Sequence, residues 1–387
     1  MTDALFDEPV RHDAESHPIS AAERLIRLAA LLVLLYTFLV AVDMLGSGIK
    51  GLGESFTDAL FQGVSNPLAG LCVGILGTVL VQSSSVTTAT IVALVGTGVL
   101  GLSDAVPMVM GANIGTSVTN TLAALGSISR PEEFRRAFAG ATMHDFFNIF
   151  AVITLLPLEL ATGVLSNTAI RIADLVSNAQ GGEFQSPVKE LVGNGKDFVE
   201  EVLALTGATN KLLATLVLVV GLALIFASLV LITKTMRVVV AGAAERSLNA
   251  VLGRSGMLGI LIGTALTIAV QSSSISTSLL IPMIAAGVLR LENAYPLTLG
   301  ANVGTTVTAL IAAMATSQIQ GLQIALVHTL FNVAGIILFY PVPALRKLPL
   351  KAARLLADLA VRNRSVVVGY IVVVFLVLPA LGTILLR

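Results

Sequence analysis

The chain alternates long apolar runs with short polar breaks, and the breaks repeat. Apolar runs of about twenty residues, the length that crosses a bilayer as a helix, lie at residues 24–44, 137–158, 212–232, 296–315, 322–340 and 366–386. Two pairs of shorter arms, 67–81 with 86–102 and 258–270 with 275–289, flank Gln82-Ser83-Ser84-Ser85 and Gln271-Ser272-Ser273-Ser274. Arms of this length are short for a span. Two of them meeting at a polar turn predict a re-entrant hairpin, with two full crossings as the alternative. A second polar break follows each hairpin, at 111–116 (Gly-Ala-Asn-Ile-Gly-Thr) and 300–305 (Gly-Ala-Asn-Val-Gly-Thr). Both motifs recur at the same offset, 82 to 271 and 111 to 300, so the halves align over them without a gap. The pattern predicts an all-α polytopic membrane protein with two repeats, re-entrant hairpins and broken helices.

Charge orients these elements. Arg24 and Arg27 precede the first span and Asp43 ends it, so it runs outward by the positive-inside rule. Arg130, Arg135 and Arg136 mark a cytoplasmic loop. In the second half Lys234 and Arg237 follow the span 212–232, which therefore runs inward, and Arg346, Lys347, Lys351 and Arg354 follow the span 322–340. The sequence repeats while its orientation flips, the signature of an inverted-topology repeat. The chain then divides into a polar tail (1–23), repeat 1 (24–158), an external linker (159–210), repeat 2 (211–345), a basic cytoplasmic loop (346–364) and a C-terminal helix (365–387).

Composition agrees. The chain has 387 residues, 55% of them hydrophobic and 12% charged, against about 25% charged in a soluble domain. Net charge is zero, which gives no pull toward nucleic acid. Cys72 is the only cysteine, which excludes an internal disulfide and a Cys-based metal site. The tail has no basic start of the signal-peptide kind.

The polar breaks carry the candidate chemistry. Backbone at bilayer depth must be hydrogen-bonded internally or line a cavity. Hydroxyl, amide and carbonyl oxygens suit a hard cation such as sodium. Inward helix N-termini, with unpaired N–H groups and partial positive charge, suit an anion. Neither cluster contains Lys or Arg, so an anion there would depend on co-bound cations. The bland alternative is that these Ser, Thr and Gly residues serve close helix packing. Asp145, inside the span 137–158, stands out, because an intramembrane carboxylate is costly and functional by default. His328-Thr329-Leu330-Phe331-Asn332 repeats His144-Asp145-Phe146-Phe147-Asn148 with Thr329 in place of Asp145. The site is thereby expected to be asymmetric by one charge, unless Asp145 is merely paired to a loop arginine. His144 and His328 read as buried hydrogen-bonding residues, not as metal ligands. A hydrolase is disfavoured, since no Gly-x-Ser-x-Gly elbow is present. A phosphate-binding loop is disfavoured too, since Gly111-x-x-x-Gly115 lacks its Lys.

With the residues set out, the chain resembles the type II sodium-dependent phosphate cotransporters. The resemblance covers residues 74–159 and 258–350. It rests on the two Gln-Ser-Ser-Ser segments, the stretch 111–121, the stretch 134–142 with His144 and Asp145, the stretch 294–300 and Tyr340-Pro341-Val342-Pro343. It implies symport of inorganic phosphate, preferably divalent, down a sodium gradient, with no cofactor and no transition metal. It implies that the paired Gln-Ser-Ser-Ser segments build the substrate and sodium sites. Phosphate is then assigned to Ser83, Ser84, Ser85, Asn113, Thr116, Ser272, Ser273, Ser274, Asn302 and Thr305. Sodium is assigned to Gln82, Thr88, Ser117, Thr119, Thr121, Asp145, Asn148, Gln271, Thr277, Thr306, Thr308 and Asn332. Ala139, Ala141 and Asp145 match the electrogenic members and imply an additional sodium per cycle. Departures include a shorter external loop with no cysteine pair and no glycosylation sequon, and an end at Arg387 right after a span, which suggests a bacterial member. The expected function is alternating-access symport in the inner membrane of the cell, with lipid, sodium and phosphate as partners and oligomerisation left open. The alternatives are a passive anion channel or a symporter of another oxyanion.

Overall fold

The computed structural model describes residues 21–53, 66–179, 188–251, 256–316 and 318–386. Most of the polar tail, and linker residues 180–187, lie outside the described residues. Among the described residues all regular structure is helical. Among the described residues six helices are long and apolar enough to cross a membrane, within Leu25–Gly51, Pro131–Thr162, Asn210–Thr235, Leu291–Ala313, Ile319–Phe339 and Ser365–Leu385. The chain is an all-α polytopic membrane protein.

In chain order the helices are α1 (Ala21–Gly51), α2 (Pro67–Val81), α3 (Ser84–Gly96), α4 (Leu102–Gly115), α5 (Val118–Ala124), α6 (Pro131–Thr162), α7 (Val164–Ala179), α8 (Lys189–Ala204) and α9 (Asn210–Val251). Then come α10 (Gly256–Val270), α11 (Ser273–Ser278), α12 (Leu280–Ala285), α13 (Leu291–Ala313), α14 (Ile319–Phe339), α15 (Pro343–Arg362), α16 (Ser365–Val372) and α17 (Leu378–Leu385). A π-helical turn, Val373–Val377, joins the last two.

Local signals explain the boundaries of α6, the helix that carries Asp145. Pro131 opens it, where a missing N–H costs nothing, and Glu132 and Glu133 sit in its first turn against the positive helix end. Gly163, at φ 62°, closes it in the left-handed conformation that glycine adopts freely. The helix is longer than the apolar run that predicted it, because its first turn is amphipathic. The described residues of the linker include α7 and α8. Helix α8 docks on α1, where the Tyr36 hydroxyl donates to the Leu191 carbonyl (3.0 Å) and Ser47 to Glu200 (2.6 Å).

Glycines set how each hairpin meets its neighbour. A Cβ on Gly74 would lie 2.0 Å from the Met108 carbonyl oxygen, and one on Gly111 2.0 Å from that of Leu71. In the second half the same holds for Gly263 against Leu297 (2.1 Å) and Gly300 against Ile260 (2.0 Å). These contacts lock α2 along α4 and α10 along α13, backbone to backbone. The expectation that 111–116 and 300–305 break their helices holds in the first half only at the end of the motif and needs correcting in the second. Helix α4 continues to Gly115 and yields only at Thr116–Ser117, and α13 runs unbroken from Leu291 to Ala313. Glycine removes a side chain, not a hydrogen bond, and the partner helix fills the space.

The same contacts give direction. Gly70 lies against Asp104 and Pro107, and Gly115 against Ile75 and Thr78, so α2 and α4 run side by side the same way. Helix α3 returns from the turn to Gly96, where a Cβ would strike Thr316 and where the Gly96 carbonyl accepts from Gln318 N (3.2 Å). Both arms of this hairpin therefore meet the bundle at one end. The second hairpin finishes at the other end, where Arg136 Nε donates to the Ala285 carbonyl (2.7 Å). Helix α13, about 34 Å long at 1.5 Å per residue, starts at this second end beside α15 and finishes next to Thr316. Its counterpart α4–α5 runs in the opposite sense.

Candidate functional site

The two Gln-Ser-Ser-Ser turns are near-copies. Gln82 and Gln271 adopt left-handed backbone, at φ 56° and 57°, a conformation that costs a residue with a Cβ about 1–2 kcal/mol. Their own amides hold them. Gln82 Nε2 donates to the Val79 carbonyl (2.5 Å) while its Oε1 accepts from Thr119 (3.3 Å). Gln271 Nε2 donates to Ile268 (2.6 Å) and its Oε1 accepts from Thr308 (3.1 Å). Each glutamine thus ends one helix and ties the turn to the next. Ser83 and Ser272 follow in extended backbone as N-caps, their hydroxyls accepting from Val86 N and Ile275 N, both at 3.3 Å. The helical arms Ser84–Gly96 and Ser273–Ala285 start there, with first-turn N–H groups that have no intrahelical acceptor.

The threonines around the turns donate to carbonyls of their own helices. Thr88 donates to Ser84 O (2.8 Å) and Thr277 to Ser273 O (2.7 Å). Thr116 donates to Ala112 O (3.0 Å), Thr305 to Ala301 O (2.9 Å), Thr306 to Val303 O (2.8 Å) and Thr121 to Ser117 O (3.2 Å). A hydroxyl whose proton is committed in this way offers only lone pairs. The walls therefore present acceptors, while the helix starts present donors.

Besides the Gln318–Gly96 and Arg136–Ala285 bonds at the two ends, side-chain hydrogen bonds join the two halves around the turns. Asn120 Nδ2 donates to the Thr277 hydroxyl at 2.8 Å. Deeper in, His144 Nε2 faces Asn302 Oδ1, Asn302 Nδ2 donates to Asn148 Oδ1 (2.8 Å), and Asn148 Nδ2 donates to the Asn113 carbonyl (2.8 Å). All four side chains are buried. Asp145 lies one residue from His144, fully buried. The Tyr370 hydroxyl donates to its Oδ2 at 2.8 Å, the Ser117 hydroxyl lies beside it, and Oδ1 has no hydrogen-bond partner among the described residues. No ion pair to Asp145 occurs among the described residues, so pairing to a loop arginine does not account for it.

Residues 37–171 and 224–347 match the family model described as Na+/Pi-cotransporter, one segment around each turn. The chain belongs to the Na+/Pi-cotransporter family. It is 34% identical to "Sodium-dependent phosphate transport protein 2A" of Ovis aries over 93% of this chain and 68% of that protein. It is 35% identical to the 2A protein of Rattus norvegicus over 92% and 67%, and 33% identical to "Sodium-dependent phosphate transport protein 2B" of Homo sapiens over 91% and 64%. The chain spans about two thirds of the length of these relatives. No solved structure is a significant match. Family and relatives are transporters, not enzymes.

In this Na+/Pi-cotransporter chain the residues singled out from sequence fall into groups. Gln82 meets Thr119, and Gln271 meets Thr308. Asn113, Asn148 and Asn302 meet through His144 and one backbone carbonyl. Ser117 and Thr121 lie with Asp145. No hydrogen bond among the described residues joins Ser83, Ser84 or Ser85 to Ser272, Ser273 or Ser274. Asn332 bonds only the His328 carbonyl of its own helix (3.0 Å). Gln82 is exposed, whereas Thr88, Thr277, Thr305 and Thr306 are buried. Tyr370 was missed. Its one sequence signal is a phenol within an otherwise apolar span.

Proposed function

We propose that this chain is a secondary-active symporter that couples inorganic phosphate, taken as the dianion, to sodium. It works electrogenically by alternating access between inverted-topology repeats, in the inner membrane of the cell. The observation that carries the proposal is Asp145: a buried carboxylate without an ion-pair partner, one oxygen unsatisfied, beside a polar network shared by both halves. A carboxylate left unpaired in a dry site is strongly unfavourable, and a bound sodium ion removes that cost. The opposite courses of α4–α5 and α13, and a first hairpin whose two arms meet the bundle at one end, support inverted repeats and re-entrance.

On this reading sodium takes oxygens from Asp145, Ser117, Thr121 and Asn148 in the first half, and from Thr277, Thr306 and Asn332 across from them. Gln82 with Thr119, Gln271 with Thr308, and Thr88 set the turns and supply further oxygens. Phosphate sits against the first-turn N–H groups and hydroxyls of Ser83, Ser84, Ser85, Ser272, Ser273 and Ser274, with Asn113, Thr116, Asn302 and Thr305 around it. No fixed basic side chain was found among these residues. Bound sodium must therefore offset the charge of the dianion, which makes coupling obligatory. No cofactor and no transition metal enters.

The test is uptake of labelled phosphate into proteoliposomes with sodium or choline outside. The proposal expects concentrative uptake with sodium only. Equal uptake in both, following the phosphate gradient alone, would identify a passive anion pore instead.

A further inference from the structure

Away from the polar turns, a cavity of about 310 Å³ opens at the second end of the bundle, where α6, α12, α13 and α15 meet. Arg135, Arg136, Arg290 and Arg354 line it, with Glu292 as the acidic member. Two of the arginines are neutralised. Arg135 Nε donates to Asp358 Oδ1 at 2.5 Å, and Arg354 pairs with Glu292. That bond from Arg135 holds the Asp358 carboxyl below its ordinary value, so the pair stays ionised. The other two arginines keep their charge free. Arg136 spends only Nε, on the Ala285 carbonyl. The Arg290 guanidinium makes no hydrogen bond or close ion pair among the described residues, and Glu292 lies near it. At about 30 Å³ per water, the cavity holds roughly ten, room for a phosphodiester and its glycerol.

The wall formed by α15 says which phosphate. Helical spacing divides α15 into three stripes. Leu350, Ala353, Ala357 and Ala360 are buried. Lys347, Lys351 and Arg354 form a basic stripe. Beside it, Leu348, Leu355 and Leu359 are 42%, 63% and 44% exposed. Val288, across the cavity mouth, is exposed as well. A basic stripe next to uncovered leucines is the pattern of a helix lying at the membrane surface, leucines in acyl chains and cations at headgroup level.

We propose that this cavity binds the phosphate headgroup of an anionic phospholipid. Arg136 and Arg290 clamp the phosphate oxygens, as guanidinium forks do, and the acyl chains lie along Leu355 and Leu359. The lipid would thereby bridge the start of α6, the end of the second hairpin and the start of α13.

The test is lipid retention by the whole purified protein in neutral detergent, read by native mass spectrometry during titration with phosphatidylglycerol, phosphatidylcholine or inorganic phosphate. One phosphatidylglycerol should be retained tightly, and phosphatidylcholine should not compete. Arg136→Gln with Arg290→Gln should weaken retention roughly tenfold or more, and Arg290→Gln alone, which breaks no hydrogen bond in the fold, should weaken it in part. Lys347→Gln with Lys351→Gln, on the same helix outside the cavity, should weaken it much less. Equal retention of both lipids, or unchanged retention in Arg290→Gln, overturns the proposal. So does displacement of phosphatidylglycerol by millimolar inorganic phosphate, which would make the cavity a soluble-anion site.

Discussion

Helices α6 and α14 carry the same His-x-x-Phe-Asn pattern and use it differently. On α6, His144 and Asn148 reach across to Asn302 of the other half, and Asp145 is met by Tyr370. On α14, Asn332 Oδ1 has no partner among the described residues, whereas Asn148 Oδ1 of α6 accepts from Asn302, and Thr329 donates to its own helix at Ala325 O (3.2 Å). The recipients differ as well. Asn302 is held by two side chains from α6, whereas the Asn113 side chain bonds only Val109 O of its own helix (3.1 Å). Of two equivalent seats, one is closed and the other is not. A protein built from matched halves can alternate between two states of similar energy when closing one seat opens the other. In the proposed cycle, the carboxylate on the closed side would make that exchange sensitive to a cation.

The largest expected effect comes from the seat itself. Asn302→Leu strands Asn148 Oδ1 and leaves His144 Nε2 only its 3.2 Å contact with Asn148 Nδ2, and a buried orphan costs about 1–3 kcal/mol. Its thermal unfolding midpoint should fall clearly, and sodium-driven uptake should be lost. Asn113→Leu, the matched change, removes one bond within a helix and should cost far less. If the two variants unfold alike, the two seats are equivalent and the comparison fails.

Tyr370→Phe comes next. It removes one donor from a carboxylate, an interaction worth about 1.5–3 kcal/mol. The sodium concentration for half-maximal uptake should shift by roughly tenfold or more, while half-saturation by phosphate at saturating sodium stays in place. A change in phosphate dependence without one in sodium dependence would remove Tyr370 from the cation site. The smallest effects are expected at the turns. Thr119→Val and Thr308→Val each delete one neutral hydrogen bond to a glutamine, about 0.5–1.5 kcal/mol. The two losses of stability, read from unfolding midpoints, should match. A large difference would mean that the near-identical turns carry unequal loads.

Much of this was legible in the chain, because the information is local or repeats at a constant offset. Gln82 and Gln271, Ser83 and Ser272, and Thr119 and Thr308 occupy matching positions and make matching bonds. What sequence hid depends on which helix lies alongside. Gly111 reads as a break until Leu71 is seen pressed against it, and nothing in the spacing of α4 names that neighbour. Tyr370 lies 225 residues from Asp145, and Asn120 meets Thr277 across the halves with no repeat-related partner to flag it. The seat on α6 follows the same rule. The motif was visible twice, but only the packing of α13 decides which copy is engaged.

The asymmetry at Asp145 can be measured directly as charge. Initial phosphate uptake would be recorded in sodium-loaded assays on proteoliposomes clamped at different potassium-diffusion potentials, for the wild type and for Asp145→Gly. The account predicts that inside-negative potential accelerates wild-type uptake and that the variant, still sodium-dependent, loses most of this dependence. Equal potential dependence in the two proteins would contradict it, because the carboxylate would then hold no transported charge.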